Sequence, residues 1–235
     1  VAFGFGQSSI TGKVFDARTE FDSYVGTAYI GHERGAWYIN GALSFGQHDY
    51  TNTRTIAFPG VSRRARAEYG GQDYTAFATT GYNIPVGDFR VTPLASLQYT
   101  RVNIGGFSET GAGDINLNVR SRSADFVESG LGVKVSRPFR HGDLTFVPEV
   151  HTRWLRQLSN PTMSQTASFQ VPGSPAFTTP GLRTADDTFN VGAGITLLSC
   201  NCTARTWSLE AVYDYYQRSD SYAAHQGMAR LSARF

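Results

Sequence analysis

The sequence predicts an all-β protein, an up-and-down antiparallel β-barrel that crosses a membrane. Three observations predict this fold. Apolar and polar residues alternate with a period of two, the alternating segments are long, and the connections between them are long and short in turn. Because a lipid-facing sheet must satisfy its backbone groups without water, it can span a bilayer only when it closes into a barrel.

The alternation recurs in ten segments of the chain. It is clearest in 205–217, where Trp207 and Leu209 alternate with Ser208 and Glu210. Strands of soluble sheets usually have about 5–6 residues, so segments of about 9–16 residues favour a spanning barrel. The predicted strands are 1–9, 20–32, 37–48, 70–84, 88–102, 122–137, 144–154, 188–198, 205–217 and 223–235. Only the stretch Tyr24–Gly31 fits either phase, so its faces stay open.

The connections sort by length. In an up-and-down sheet successive connections lie at opposite ends, so alternating lengths put long loops at one end and tight turns at the other. The long ones are 10–19, 51–69, 103–121 and 157–186, and the short ones are 33–36, 85–87, 138–143 and 199–204. The last connection, 218–222, is short where the alternation requires a long one. Transmembrane barrels have long outer loops and short periplasmic turns.

Composition excludes several other classes. A formal net charge of +2 without a long basic run gives no electrostatic footprint for nucleic acid. The apolar stretch VGAGITLLSC covers about half of the roughly 20 residues that a spanning helix needs. No signal peptide opens the chain, so we expect either a processed protein or the downstream part of a longer one.

The aromatic residues favour a bilayer over a soluble core. Barrels in membranes carry aromatic girdles near both interfaces, on the lipid-facing phase of their strands. The alternative is a soluble barrel with ordinary core aromatics, but the opposite phase is too polar and too rich in glycine for a packed core. The predicted girdle residues are Trp37, Tyr99, Trp154, Trp207 and Tyr215.

The same phasing assigns a lumen and a direction. The predicted lumen-facing polar residues are Glu128, Glu149, Arg153, Glu210, Asp214 and Arg230, which we interpret as a hydrated wall of ion pairs. With the short turns in the periplasm, the last strand runs inward and ends with Phe235 at the periplasmic membrane edge. Ala229, Leu231 and Ala233 then face lipid together with Phe235.

Several stretches carry a family resemblance. The runs WYINGALSFGQHDY, TPLASLQYTRV, ESGLGVKVSRPF, LTFVPEVHTRWL and the terminal ARLSARF look like the C-terminal translocator barrel of bacterial autotransporters. The resemblance covers essentially the whole chain and implies twelve strands with a helix threaded through the pore. It therefore makes 1–235 a single outer-membrane barrel domain that is N-terminally incomplete, with two strands and the helix before Val1. The alternative is closure of ten strands by pairing 1–9 with 223–235.

The resemblance also implies a function. We expect an outer-membrane anchor and translocator pore that helps export and display a passenger joined upstream of Val1, with its long loops outside the cell. Expected partners are outer-membrane lipid, lipopolysaccharide and the barrel assembly machinery, which recognises a C-terminal aromatic strand by β-augmentation. No enzymatic activity, catalytic residue, cofactor, metal or nucleic acid is expected. The alternatives are a simple pore or adhesin, or an outer-membrane enzyme of protease or esterase type.

The enzyme alternative has its own candidate residues, Asp22, His32, Ser44, His48 and Asp49. A hydrolase needs a base within hydrogen-bond reach of a nucleophile or an activated water. His48 and Asp49 are neighbours on one strand and so face opposite sides, and no Gly-x-Ser-x-Gly or metal-type histidine spacing occurs. We therefore interpret these five residues as structural.

Three further features are interpreted without a catalytic role. Cys200 and Cys202 lie in a predicted periplasmic turn, where a zinc site lacks further ligands and a disulfide would be strained. Arg54, Arg63, Arg64 and Arg66 cluster in the predicted loop 51–69, as a solvated group or as a contact for lipopolysaccharide phosphate. The loop 157–186 is predicted to be a flexible surface loop.

Overall fold

A computed structural model of the chain describes residues 1–12, 17–181, 183–199 and 206–234. Cys200, Cys202 and Phe235 lie outside the described residues, so the interpretations placed on them stay predictions.

The described residues contain sixteen strands, of which ten form the path of one large antiparallel sheet. In chain order the strands are β1 Ala2–Gly12, β2 Ala17–Arg34, β3 Trp37–Phe58, β4 Val61–Tyr82, β5 Ile84–Val86, β6 Phe89–Ile104, β7 Phe107–Ser108, β8 Leu117–Val119, β9 Arg122–Ser136, β10 Phe139–His141, β11 Leu144–Ser159, β12 Gln165–Phe169, β13 Phe177–Thr179, β14 Asp187–Ser199, β15 Thr206–Arg218 and β16 Ala223–Arg234. The path is β1-β2-β3-β4-β6-β9-β11-β14-β15-β16, with β5 and β10 as short additions to β6 and β11. The prediction of ten long strands in chain order is confirmed.

The large sheet curls into a half-barrel, and its two edges stay apart. β1 pairs with β2, β16 pairs with β15, and no ladder within the described residues joins β1 to β16. Closure of ten strands through pairing of 1–9 with 223–235 is therefore wrong. The physical reason is geometric, because ten strands at this curvature turn through only half of a barrel.

Long strands replace two of the predicted loops. β3 and β4 each have 22 residues and pair without a register shift from Trp37 and Tyr82 to Phe58 and Val61, so the predicted loop 51–69 is a hairpin. Its turn contains Gly60, whose φ of +83° favours glycine. The predicted loop 10–19 is likewise mostly strand, because β1 continues to Gly12 and β2 begins at Ala17.

A second, small sheet lies at the end with long connections. Its strand order is β13-β12-β8-β7, and a single 3₁₀ turn, Gly113–Ile115, lies between β7 and β8. The predicted loops 103–121 and 157–186 thus contain paired strands, which corrects the interpretation of 157–186 as a flexible surface loop. We call the assembly of 50–70, 107–119 and 165–179 the cap. No helix in the part of the chain that the structure describes is long and apolar enough to cross a membrane.

The large sheet has an apolar face and a polar face. Its apolar side chains are exposed and its buried side chains are mostly polar, the reverse of a water-soluble protein. The apolar face carries exposed large side chains, among them Leu43, Leu97, Leu131, Val150, Val191, Tyr213 and Leu231. The polar face carries the buried side chains, among them Thr92, Ser136 and Asn190. This pattern fits a sheet that curls toward its polar face and has its apolar face in a nonpolar solvent.

Contacts resolve the stretch whose phase was open. The ring of Tyr24 lies 5.3 Å from that of Phe5 on the apolar face, and Thr27 hydrogen bonds to Ser44, 2.8 Å away, on the polar face. Even-numbered residues from Tyr24 to Ile30 therefore lie on the apolar face.

Candidate functional site

The densest group of polar side chains lies on the polar face of β11, β14 and β15. The registers place Arg153, Asn190 and Tyr216 in one cross-strand row. The next row contains His151 and Asp214 with Gly192 between them. Antiparallel neighbours on one face lie about 4.5–5.5 Å apart, so the two rows bring these side chains within reach of one another.

Asp214 is the centre of this group. Its Oδ1 accepts hydrogen bonds from Asn190 Nδ2 at 2.7 Å, His151 Nε2 at 2.8 Å and Arg153 Nη2 at 3.3 Å. Asn190 is fully buried, and its Oδ1 accepts a hydrogen bond from Arg153 Nε at 2.8 Å. We call these four residues the Asp214 cluster. Since each of these bonds involves the carboxylate or the guanidinium group, the cluster is a network of charge-assisted hydrogen bonds.

Gly192 leaves the space that the cluster needs. A Cβ atom built on Gly192 would lie 2.6 Å from His151 Cε1 and 2.7 Å from Asp214 Oδ1, closer than carbon and oxygen atoms pack. Any side chain at this position would push His151 and Asp214 apart. The glycine therefore allows an imidazole and a carboxylate to meet across the strand between them.

The other predicted lumen residues lie around this cluster on the same face. Glu149 Oε2 lies 3.4 Å from Lys134 Nζ, and Glu149 Oε1 lies 3.7 Å from His151 Nδ1. Glu128 Oε2 accepts a hydrogen bond from Gln157 Nε2 at 2.6 Å. Glu210 Oε2 on β15 lies 3.6 Å from Arg230 Nη1 on β16. The side chain of Arg230 is more exposed than those of the other ion pairs of this group. All six residues predicted to face the lumen therefore lie on the polar face, paired with other polar groups.

Sequence reasoning did not identify every member of this face. Asn190, His151 and Lys134 were not among the proposed lumen residues, although each falls on the polar phase of its strand. The alternation in 144–154 and 188–198 gave the signal for His151 and Asn190. What it could not give was the register that brings Asn190 against Asp214.

The predicted girdle residues and the three assembly residues that the structure describes lie on the apolar face. Trp37 and Trp207 lie near the end with short turns, and Tyr99, Trp154 and Tyr215 lie near the end that carries the cap. Along β15, Trp207 and Tyr215 are separated by about 26 Å, close to the height of about 25 Å typical of the apolar band of such barrels. Ala229, Leu231 and Ala233 pair with Ala211, Leu209 and Trp207, and all belong to the apolar face.

The five candidate hydrolase residues do not converge. Ser44 is bonded to Thr27, and Asp22 accepts a hydrogen bond from Gln7 at 2.9 Å on the other side of the sheet. His32 pairs with Ile39, far along β2 from Ser23, the residue that pairs with His48. His48 contacts two residues that the sequence did not single out, Ser23 and Asp73, described below.

The arginine cluster is divided between two sides of the hairpin. Arg54 forms a bidentate pair with Glu109, whose side chain is only 3 % exposed, and Arg63 Nη1 donates to the carbonyl of Ala112 at 2.7 Å. Arg66 pairs with Glu68 at 3.2 Å on the other side, where Arg64 is also exposed. Two of the four arginines therefore hold the cap together. Among the described residues no group of three or more His, Cys, Asp and Glu side chains could hold a metal ion.

An antiparallel sheet with an apolar outer face, a polar inner face and ion pairs on the inner face defines a β-barrel protein of the membrane-spanning class. Residues 1–214 match the family model of the autotransporter β-domain, and the chain belongs to this family. Its place is accordingly the bacterial outer membrane.

Two relatives and one solved structure illustrate the similarity. The chain is 26 % identical over 199 residues to esterase EstA of Pseudomonas aeruginosa, a match that covers 83 % of this chain and 30 % of the relative. It is 26 % identical over 187 residues to outer membrane protein A of Rickettsia rickettsii, covering 79 % of this chain and 8 % of the relative. The chain thus spans less than a third of these curated relatives. The fold is similar to the translocator domain of the autotransporter NalP from Neisseria meningitidis, with a TM-score of 0.74, 21 % identity and coverage of 99 % of this chain and 73 % of that chain.

Proposed function

We propose that this domain anchors a passenger, joined upstream of Val1, in the outer membrane and helps to export and display it. The observation that carries the proposal is the inverted exposure of the sheet, with Leu43 and Val150 more than half exposed and Asn190 fully buried, in a chain of the autotransporter β-domain family. An exposed apolar face is stable in hydrocarbon, and a polar inner face lets a hydrated polypeptide pass. A simple pore or adhesin would share the wall but would have no passenger.

The polar face is the wall of the conduit in this proposal. Glu128, Glu149, Arg153, Glu210, Asp214 and Arg230 line it. Their pairing supports this role, because five of the six charges have an oppositely charged partner within the wall and Glu128 is bonded to Gln157, so a passing chain meets little net attraction. The girdle residues then mark the two interfaces of the bilayer.

The orientation follows the lengths of the connections. The cap lies outside the cell and the turns at 35–36, 83–88 and 137–143 lie in the periplasm. This assignment is supported by a general property of transmembrane barrels, whose longer connections are extracellular. Arg64 and Arg66 then lie at the level of lipopolysaccharide phosphates. Arg54 and Arg63 are bonded within the cap, so fewer guanidinium groups are free to bind phosphate than the sequence alone indicates.

The domain is completed by further strands that join β1 to β16. Two unpaired edges in hydrocarbon leave rows of backbone groups unsatisfied, each at a cost of several kcal/mol, or about that of a lost buried hydrogen bond. A pair of added strands keeps the pairing antiparallel throughout. The similarity to NalP, which extends over 73 % of that chain, leaves room for such strands.

Assembly begins at the last strand in this proposal. Ala229, Leu231 and Ala233 present an apolar row. In the sequence Phe235 continues this alternation, and the barrel assembly machinery recognises the segment by strand pairing. Deletion of Phe235 should therefore lower the amount of assembled barrel several-fold but leave the urea stability of already folded barrel nearly unchanged. Equal loss of both quantities would show that Phe235 is only a packing residue.

Display is tested on the complete protein in cells. An epitope placed upstream of Val1 should be removed by protease added to intact cells, and removal should fail when 223–235 are deleted. For orientation, Cys200 and Cys202 are first changed to Ser, and a single cysteine is introduced by Ala176→Cys in the cap or Asp143→Cys at the opposite end. A membrane-impermeant maleimide should label the first variant and not the second. Labelling of Asp143→Cys alone would reverse the orientation, and an epitope that stays protected would reject the display of a passenger.

A further inference from the structure

Three side chains on adjacent strands of the polar face form a chain of hydrogen bonds. Ser23 on β2, His48 on β3 and Asp73 on β4 meet where the register pairs Ser23 with His48 and Asp73 with Gly46. Ser23 Oγ lies 2.8 Å from His48 Nδ1, and His48 Nε2 lies 2.6 Å from Asp73 Oδ1. Both distances are those of strong hydrogen bonds.

The carboxylate determines where the protons are. With Asp73 ionised and the imidazole neutral, the carboxylate can only accept, so the tautomer that fits this geometry carries its proton on His48 Nε2 and donates it to Asp73. His48 Nδ1 then has a free lone pair, and it accepts the hydroxyl proton of Ser23. A serine whose proton points at an imidazole that a carboxylate orients is the arrangement of an activated nucleophile.

Two glycines shape the surroundings of this chain. Gly46 is buried, and a Cβ atom there would overlap Asp73 Oδ1 and lie 3.0 Å from His48 Nε2, so only glycine allows the His48–Asp73 contact. Gly6 lies opposite Ser23 on β1, and a Cβ atom there would meet nothing within 4 Å. The side chains of the base and its carboxylate are mostly buried, 17 % and 22 % exposed, and Gly6 places no side chain beside Ser23 on the side away from His48.

Other hydroxyl groups on this face are bonded differently. Thr27 bonds to Ser44 at 2.8 Å, and Thr75 bonds to Thr100 at 3.1 Å. These pairs show that hydroxyl groups of the wall are satisfied by each other without an imidazole. Ser23 differs because its partner is a base, and the Asp214 cluster differs because its histidine contacts no serine.

We propose that Ser23 is a catalytic nucleophile that hydrolyses small carboxylic esters entering the polar interior, an activity separate from transport. Ser23 Oγ forms a bond to the ester carbonyl carbon as His48 Nδ1 takes its proton. The bond to the alkoxy oxygen breaks, and that oxygen leaves as an alcohol with the proton from His48. Water then attacks the acyl–Ser23 ester, giving up a proton to His48, and the carboxylic acid leaves as Oγ is reprotonated.

The test uses the complete protein in outer-membrane vesicles. A fluorophosphonate probe is added, the digested protein is searched by mass spectrometry for the modified peptide, and hydrolysis of p-nitrophenyl butyrate is followed in parallel. Ser23 should be labelled, and Ser44 in the same molecule should not. Mapping to the peptide separates Ser23 from any nucleophile in the passenger.

Four variants sharpen the assignment. Ser23→Ala should abolish labelling of the peptide and its share of the hydrolysis, and His48→Gln should slow labelling of Ser23 by about 100-fold or more, the typical contribution of a general base. Asp73→Asn should slow it by more than about tenfold, because it loses the orientation of the imidazole. The matched control Ser44→Ala should label and hydrolyse as the unchanged protein does.

Three results would overturn the proposal: Ser23 unlabelled in the unchanged protein, labelling equal at Ser23 and Ser44, or hydrolysis that Ser23→Ala does not lower. The comparison of Ser23 with Ser44 needs no variant, so it decides even where a substitution prevents folding. Display of the passenger is measured on the same cells. A transporting domain with an inert Ser23 rejects only this inference.

Discussion

The spanning sheet and the cap share strands but pack by opposite rules. In the β3–β4 hairpin, Leu43 is 67 % exposed in the spanning part, and Ala65, farther along, is 1 % exposed in the cap. Five of the six buried apolar residues among the described positions belong to the cap or its edge; these are Ala65, Ala67, Ala112, Val119 and Ala167. In the wall, buried positions are mostly polar.

The difference shows where the solvent of the hairpin changes. An exposed leucine is stable against hydrocarbon and costs free energy in water, and a buried alanine is stable in both. A single pair of strands can therefore cross from lipid to water only if its apolar residues move from the outer face to the interior. The four predictions below test this comparison, from the largest expected effect to the smallest.

The same substitution should have different costs in the two regions. Val150 and Val171 are both exposed, one in the middle of the apolar face and one on the surface of the cap. Val150→Arg should lower the free energy of unfolding by about 2–4 kcal/mol, since it places a guanidinium near the bilayer midplane. Val171→Arg should change it by less than about 0.5 kcal/mol, as surface substitutions in water do. Urea unfolding of the complete protein in lipid vesicles measures both, and equal effects would contradict the comparison.

The polar core of the wall should resist an apolar replacement. Asn190→Leu removes hydrogen bonds to Arg153 and Asp214 and should cost about 1.5–3 kcal/mol, the range for bonds to charged groups. In the cap the opposite exchange, Val119→Asn, should also lower the free energy of unfolding, because it buries a polar amide where the native residue is apolar. The same vesicle unfolding measurement applies, and a gain of stability from Asn190→Leu would show that the Asp214 cluster is dispensable.

Loss of the ion pair between Arg54 and Glu109 should destabilise the cap and leave the wall unchanged. Glu109→Ala leaves the guanidinium of Arg54 and the amide N–H of Leu117 without their carboxylate acceptor. Arg54 is partly exposed, so the expected loss is only about 1–2 kcal/mol, less than for a fully buried pair. Hydrogen exchange should rise in 107–119 and 165–170 and stay unchanged in 144–156. Faster exchange throughout β11 would mean that cap and wall unfold together.

The smallest effect concerns the turn after β15, outside the spanning segments. The hydrogen bond from Arg218 Nε to Asp220 Oδ1, 2.9 Å long, holds the pKa of Asp220 below its ordinary value of 3.8. A carboxyl group with a lowered pKa contributes to stability while it is ionised, so its contribution is present above the ordinary value and is lost as the pH falls through the lowered one. Hydrogen exchange of 218–222 should stay slow at pH 3.8 and become faster at more acidic pH. Asp220→Asn should remove that dependence; a steep rise at pH 5 in the unchanged protein would point to another group.

The wall could be predicted from the sequence because its physics is local. Each strand repeats the choice between a lipid face and a polar face at every second residue, so Trp207, Glu210 and Asp214 reveal their faces without any knowledge of neighbours. The number and order of the strands follow from the same repetition. Curvature does not, and for that reason pairing of 1–9 with 223–235 was open on sequence grounds.

The cap and the Ser23–His48–Asp73 chain could not be predicted in this way. Two of the buried residues of the cap are alanines within VSRRARAEYGG, and small side chains next to arginines give no alternation of hydropathy. Ser23 and His48 are 25 positions apart, and so are His48 and Asp73. Only the exact register of three strands joins them, and a shift by one residue would send His48 to the opposite face.

The unbroken β3–β4 hairpin has a mechanical consequence. Strands of 22 residues are about 70 Å long, so even at a tilt of 45° they reach about 20 Å beyond a hydrocarbon layer of about 30 Å. The other two segments of the cap join the wall through residues outside the strands, among them 105–106, 120–121 and 160–164. A force applied sideways to the cap is therefore transmitted to the wall by β3 and β4. It acts first on the part of these strands that contains His48 and Asp73.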